Sequence, residues 1–273
     1  MRHSTDRRRK RRLPLIILFI LFFAIMVFSG YKVMTILLEY KAGTDTYENL
    51  EQYIVIDTSD RKSTPTPAPL ADPSANPEPT PEPGIVWPKV DFESLWQIND
   101  DVVGWIYIEG TTVNYPIVQG QDNDYYLYRM IDGEYNTSGS IFMDCRNGSS
   151  FTDRNTILYG HHMNNGSMFS DLLNYKEQSY FDEHPVALIM TPEKNYTLEF
   201  FTGYVATVQD NAWDNRFASD GDYANWLRNI GRKSRFYVNI VPEVTDRVVT
   251  LSTCSYEFDD ARFVVCGVLR PEE

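Results

Sequence analysis

The sequence predicts a mainly β domain, closed and barrel-like, behind an apolar N-terminal helix. Three observations carry this. From Trp105 to Leu269, seven or eight short segments alternate apolar and polar residues with the period of a strand. Gly, Pro, Asn and Asp punctuate the gaps between them. Helical periodicity is confined to a few short stretches, and many short strands avoid exposed edges by closing on themselves.

The first twelve residues hold seven Lys/Arg and one Asp, and Leu13 to Phe28 follows without a charge or a strongly polar side chain. Ser29, Gly30 and Tyr31 extend the run to about 28 Å at ~1.5 Å per residue, close to a bilayer core of ~30 Å. Lys32 can snorkel, and Val33 to Leu38 can continue the helix at the interface. Because the basic cluster precedes the apolar run, the N-terminus is expected in the cytoplasm and the remainder outside. The division is a cytoplasmic tail over 1–12 and a transmembrane signal anchor over 13–38. A cleaved signal peptide is the rival, and the run is long for one. Residues 39–85 hold a juxtamembrane segment of mixed polarity, Glu39 to Ile56, and a Pro-rich stretch. From Ser63 to Pro88 proline alternates with Thr, Ala, Glu and Ser. That composition cannot pack a core and favours extended polyproline II. It reads as a stalk lifting the folded domain, residues 86–273, off the membrane.

Within that domain, Asp91 can cap a short helix through Asn99, with Phe92, Leu95 and Trp96 on one face. Trp105 to Ile108 and Thr112 to Val118 read as strands around Gly110. Ile141 to Asp144 and Thr156 to Tyr159 read as two more, and Met168 to Tyr175 as a helix. Val186 to Thr191 and Tyr196 to Val208 make a hairpin across Pro192 to Asn195. Asp220 can cap a helix carrying Tyr223, Trp226, Leu227 and Ile230, stopped by Gly231. Arg235 to Val241, Val248 to Cys254 and Arg262 to Leu269 complete the strands.

The chain carries a net charge of −13 despite its basic tail. Phosphate repels such a body, which excludes nucleic acid as a partner. Cys145, Cys254 and Cys266 make an odd number, so outside a cell at least one thiol stays free. Cys145 and Cys266 read as small buried hydrophobes rather than a bridge. Cys254 differs: it ends its strand ahead of the polar, acidic stretch Ser255 to Ala261, and Arg262 opens the next strand. A Cys and an Arg at adjacent strand ends can share one pocket. The guanidinium offers a fixed charge and five donors, which favour a thiolate or hold an oxyanion. Of the four histidines, His3 lies in the basic tail and His184 precedes Pro185 in a turn. His161 and His162 follow the apolar run that ends at Gly160, and a Cys with a His distant in sequence is the usual layout of a cysteine nucleophile. On extended backbone the two imidazoles point to opposite faces, so only one can meet Cys254 and both cannot easily bind one metal.

Tyr159-Gly160-His161, Thr250-Leu251-Ser252-Thr253-Cys254 and Arg262 occur in that order. Asp101 to Ile106, Tyr115 to Gln119, Asp122 to Leu127, Gly139 to Asp144 and Asn165 to Phe169 accompany them. On these motifs the chain resembles the class B sortases, cysteine transpeptidases of Gram-positive bacteria, from about Val90 to Leu269. The resemblance implies a sortase β-barrel with extra N-terminal helices and a helix in a long inter-strand loop. It implies that Cys254 is the nucleophile, that His161 rather than His162 carries the proton, and that Arg262 holds the oxyanion. It puts Asn123, Leu127, Ser252 and Thr253 in the wall of a substrate groove. Trp226 and Leu227 become groove candidates, because the class grips its peptide in that region; the bland reading of their helix is packing on the barrel. The implied activity cleaves the C-terminal sorting signal of secreted surface proteins after Thr, through a thioester. The acyl group then passes to an amine of a peptidoglycan precursor or stem peptide. These steps call for no metal or other cofactor. A peptidase or amidase that hydrolyses the thioester and a pilin-linking enzyme are rival readings, as is a stalked surface scaffold without chemistry. Product analysis with and without an added amine separates transfer from hydrolysis, and covalent labelling of Cys254 separates enzyme from scaffold.

Overall fold

Helix α1 (Thr5–Leu50) opens the structure, a computed structural model that describes residues 5–56, 85–207 and 209–272. The chain divides into two units, Met1–Asp45 and Thr46–Glu273. In the first, α1 exposes apolar side chains from Leu15 to Leu38 and is long and apolar enough to cross a membrane.

The second unit begins with the last turn of α1. Tyr47 and Leu50 are buried there, and so is Ile54 beyond a 3₁₀ turn at Glu51–Tyr53. Strand β1 (Ile54–Val55) pairs antiparallel with β2 (Lys89–Val90), Ile54 opposite Val90. Folded structure thus begins near Thr46, ahead of the expected boundary at residue 86. So few of the residues in Glu39 to Ile56 are buried that their mixed polarity conceals it. The expected stalk lies outside the described residues, apart from its last few positions. The chain on either side of 57–84 is joined in one two-stranded ribbon.

Helix α2 (Phe92–Ile98) follows, capped as expected by Asp91, whose carboxylate accepts from Ser94 N–H at 3.0 Å. The barrel strands are β3 (Val102–Tyr107), β4 (Asn114–Val118), β5 (Ile141–Met143), β6 (Asn155–Tyr159), β7 (Val186–Met190), β8 (Asn195–Ala206), β9 (Val248–Cys254) and β10 (Arg262–Pro271). They close in the order β10-β8-β7-β3-β4-β5-β6-β9, and β9 pairs back to β10. This is the mainly β, closed barrel that the sequence predicts. Trp105, Ile117, Ile157, Leu251 and Val265 are fully buried in it; burying such a side chain contributes roughly 1.5–3 kcal/mol. Most pairs are antiparallel, but β4–β5 and β6–β9 are parallel.

Helices α3 (Gln178–Glu183) and α4 (Asp220–Gly231) lie in the loops flanking β7 and β8. The cap of α4 is Ser219 rather than Asp220: its Oγ accepts from Asp222 N–H at 3.1 Å. Met168 to Tyr175 tightens into a 3₁₀ helix at Ser170–Lys176. Arg235 to Val241 forms no strand. Its alternation fits one, and Arg235 N–H does reach Gly203 O of β8 at 2.7 Å, but beyond it the backbone turns to α3. Phe236 instead stacks on Phe181, with ring centroids 4.2 Å apart. Tyr237 N–H donates to Gln178 Oε1 at 2.7 Å, and its carbonyl accepts from Gln178 Nε2 at 3.2 Å.

Candidate active site

Parallel pairing of β6 with β9 sets Tyr159 beside Ser252, and Gly160 N–H donates to Ser252 O at 3.1 Å. His161 and Cys254 each come two residues further on, so one register brings both to the same end of the barrel. Across β9 the antiparallel ladder sets Cys254 directly opposite Arg262. Strand pairing alone therefore gathers three side chains from distant parts of the sequence. All three line one cleft of about 330 Å³, and Asn123, Leu127, Ser252 and Thr253 line it with them.

His161 is half-buried, and its Nε2 lies 2.7 Å from Leu127 O. A carbonyl only accepts, so Nε2 carries the proton and Nδ1 keeps a free lone pair in the neutral ring. Burial pushes the imidazole pKa below the ordinary histidine value. The Leu127 carbonyl opposes this, and the Arg262 charge reinforces it. The ring is therefore neutral at pH 7 and able to take a proton. His162 lies outside the cleft lining. Its Nδ1 is buried without a hydrogen-bond partner among the described residues, and its ring stands edge-on to Tyr256 at 5.3 Å. Burial, then the nearby Lys176, lower its pKa.

The wall behind these groups is a polar network. Burial alone would raise the Asp144 carboxyl. Two bonds from the Arg146 guanidinium, at 2.8 and 2.7 Å, and one from Tyr159 Oη at 2.8 Å instead hold it below the usual carboxylate range. Trp213 Nε1 donates to Ser252 Oγ at 3.1 Å, and the Trp213 carbonyl accepts from Arg146 Nη2 at 3.2 Å. These bonds tie the loop before α4 to β9. Asn123 Oδ1 accepts from Cys145 N–H at 2.8 Å. Thr253 Oγ1 is buried with no partner among the described residues, a polar atom that a bound peptide could satisfy.

Trp226 and Leu227 are not in this lining. Both are buried with Tyr223 and Ile230, packed on Phe201, Tyr204, Val264 and Cys266, which is the bland reading of that helix. Phe142 and Trp213 line the cleft without having been singled out from the sequence. Phe142 sits in the unbroken apolar run Ile141-Phe142-Met143, where no alternation marks a face. Trp213 does leave a signal: it stands alone in the polar loop Asp210 to Asn215, with no apolar period to claim it for a core. All three cysteines are free. Cys266 is buried, and burial pushes its thiol up to about 12. Cys145 is exposed, contrary to the buried position expected for it, because it follows the end of β5 in a turn. Among the described residues no His, Cys, Asp and Glu cluster could hold a metal ion.

A thiol beside a fixed cation and a neutral, oriented imidazole is equipment for nucleophilic acyl transfer. Comparison with known proteins gives the family. A family model described as the Sortase domain matches residues 106–270. Sortase B of Staphylococcus aureus (strain NCTC 8325 / PS 47) is 35% identical over 248 residues, covering 90% of this chain and 92% of that protein. Sortase B of Listeria monocytogenes serovar 1/2a (strain ATCC BAA-679 / EGD-e) is 33% identical over 253 residues, with coverage of 90% and 92%. A solved Staphylococcus aureus sortase B–substrate complex matches with a TM-score of 0.64 at 39% identity, over 67% of this chain and 85% of that one. The chain belongs to the sortase family, in class B, and is a sortase-type cysteine transpeptidase.

Proposed function

We propose that the protein is anchored in the membrane by α1, with its N-terminus inside and its barrel outside. There it cleaves the sorting signal of surface proteins after Thr and joins them to an amine of the cell wall. The observation that carries the chemistry is the common cleft of Cys254, Arg262 and His161, the last with Nε2 held by Leu127 O. The apolar stretch of α1 and the basic residues before it support the anchor.

His161 Nδ1 takes the proton of Cys254 Sγ as the sulfur attacks the Thr carbonyl carbon. The carbonyl oxygen turns negative and is met by the Arg262 guanidinium. When the adduct collapses, its C–N bond breaks and His161 returns the proton to the leaving amine. A thioester remains on Cys254. An incoming amine then attacks that carbonyl and loses its proton to His161. The thiolate leaves and takes the proton back. Asn123, Leu127, Ser252 and Thr253 form the wall against which the peptide lies, and the unpaired Thr253 hydroxyl supplies a hydrogen bond to it.

Cys254→Ala is expected to abolish transfer and thioester formation with the fold intact, because a methyl fits where a thiol did. Mass spectrometry of the protein incubated with sorting peptide and an amine checks this. Substantial acyl transfer by the variant would remove Cys254 as nucleophile. Equal product with and without the amine would favour hydrolysis.

A further inference from the structure

We propose that Tyr47, in the last turn of α1, is a positioning residue for proton transfer by His161; this rests on the reading of His161 as the acid–base group. Tyr47 is buried, with its ring edge-on to Tyr115 at 5.3 Å. Its hydroxyl donates to Gly139 O at 2.6 Å and lies 3.1 Å from Ser140 Oγ. Burial raises the phenol pKa well above the ordinary tyrosine value, so the hydroxyl remains a donor at any working pH.

Gly139 and Ser140 in turn bracket the segment that holds the imidazole. Gly139 has φ +56°, and a Cβ there would lie 2.4 Å from Leu127 O and 2.7 Å from Tyr126 O. Its backbone therefore lies directly against the Leu127 carbonyl. Ser140 N–H donates to Tyr126 O at 3.0 Å, and Ser140 Oγ donates to Arg129 O at 2.9 Å. Backbone on both sides of Leu127 is pinned by Ser140, whose neighbour Gly139 takes the Tyr47 hydroxyl proton on its carbonyl. The Leu127 carbonyl is the acceptor that selects the Nε2–H form of His161. Which ring nitrogen carries the proton is set by the hydrogen bond the other groups offer. If that carbonyl turns away, the Nδ1–H form becomes populated and the base nitrogen is lost.

The experiment uses the full chain in detergent micelles, a sorting peptide and an amine. Tyr47→Phe keeps the ring against Tyr115 and removes only the hydroxyl. It is expected to lower kcat about tenfold with KM within about twofold, as misplacement of a reacting group can cost up to ~10²-fold. Nitrogen NMR of His161 should show one Nε2–H tautomer in the parent and a mixture in Tyr47→Phe. Ser140→Ala should shift kcat and tautomer the same way without altering α1. It decides the matter should Tyr47→Phe fail to fold. Wild-type kcat and a single tautomer in a folded variant overturn the proposal, as does a change confined to KM or to thermal stability. His161→Gln separates the two levels. If it keeps wild-type kcat, the acid–base reading falls and this proposal with it. If it is inactive while Tyr47→Phe behaves as the parent, only the role of Tyr47 falls.

Discussion

His161 sits between two influences that both disfavour its charged form, burial and the Arg262 guanidinium, and this sets how the protein should respond to acid. The folded pKa lies below the ordinary 6.5. As pH falls, the unfolded chain binds its proton first. The stability tied to this group is thus complete above about pH 6.5 and is lost as pH falls from there through the folded value. Denaturant midpoints measured at pH 7.5 and 5.5 should fall in that order. The acid limb of kcat/KM should likewise lie on the acid side of the ordinary histidine value. Arg262→Gln removes the lesser of the two lowering influences. In a Cys254→Ala background, an NMR titration of His161 should move upward. No movement would place the guanidinium's field elsewhere. His161→Ala should lose ~10²–10⁴-fold in peptide cleavage, the usual worth of a positioned proton carrier. His162→Ala should lose less than about tenfold, the size of a ~1.4 kcal/mol packing change. The reverse ranking in purified, folded variants would overturn the assignment. Cys254 and Arg262 are legible in the sequence as reactive types at the ends of alternating runs, and the His pair as following an apolar run, while the choice of His161 comes from the family motif. The Leu127 carbonyl is not legible, since any residue carries one and only the folded chain shows where it points.

Among the elements, α4 separates burial from binding. Trp226 is buried against Phe217 and Tyr223, with centroids at 5.2 and 5.7 Å, and its Nε1 donates to Asn211 O at 2.7 Å. Trp226→Ala should therefore cost roughly 3–5 kcal/mol of stability. KM for a sorting peptide should stay within about twofold of the parent, since the side chain is no part of the cleft. Urea unfolding beside steady-state kinetics checks both, and a large rise in KM at full stability would return Trp226 to the groove. The helix itself is legible from Tyr223, Trp226, Leu227 and Ile230 at helical spacing. Which neighbour covers that stripe is a tertiary fact that spacing leaves open. Arg235 to Val241 shows the limit from the other side. Alternation gives it a strand's appearance, but past Arg235 its backbone partners lie on α3 rather than on the barrel. Its backbone groups go to Gln178 and, through Arg235 N–H, to Gly203 O at 2.7 Å.

At the scale of the whole molecule, the barrel unit reaches back to Thr46. A chain beginning at Val86 lacks Tyr47, Leu50 and Ile54. Three buried side chains at ~1.5–3 kcal/mol each are a large share of a typical stability of roughly 5–15 kcal/mol. Thermal melts followed by circular dichroism should find a chain beginning at Thr46 far more stable than one beginning at Val86. Equal melting would make the β1–β2 ribbon dispensable. The ring has a last consequence, in time rather than space. β10 carries Arg262 and pairs with both β8 and β9, and it is the final strand of the barrel. A chain that assembles from its N-terminal side would hold His161 and Cys254 as unassembled segments until β10 paired. Long-range pairings of this kind form over milliseconds to seconds. Thioester formation should therefore appear with the slowest phase of refolding, so that the chemistry waits on the last strand to pair.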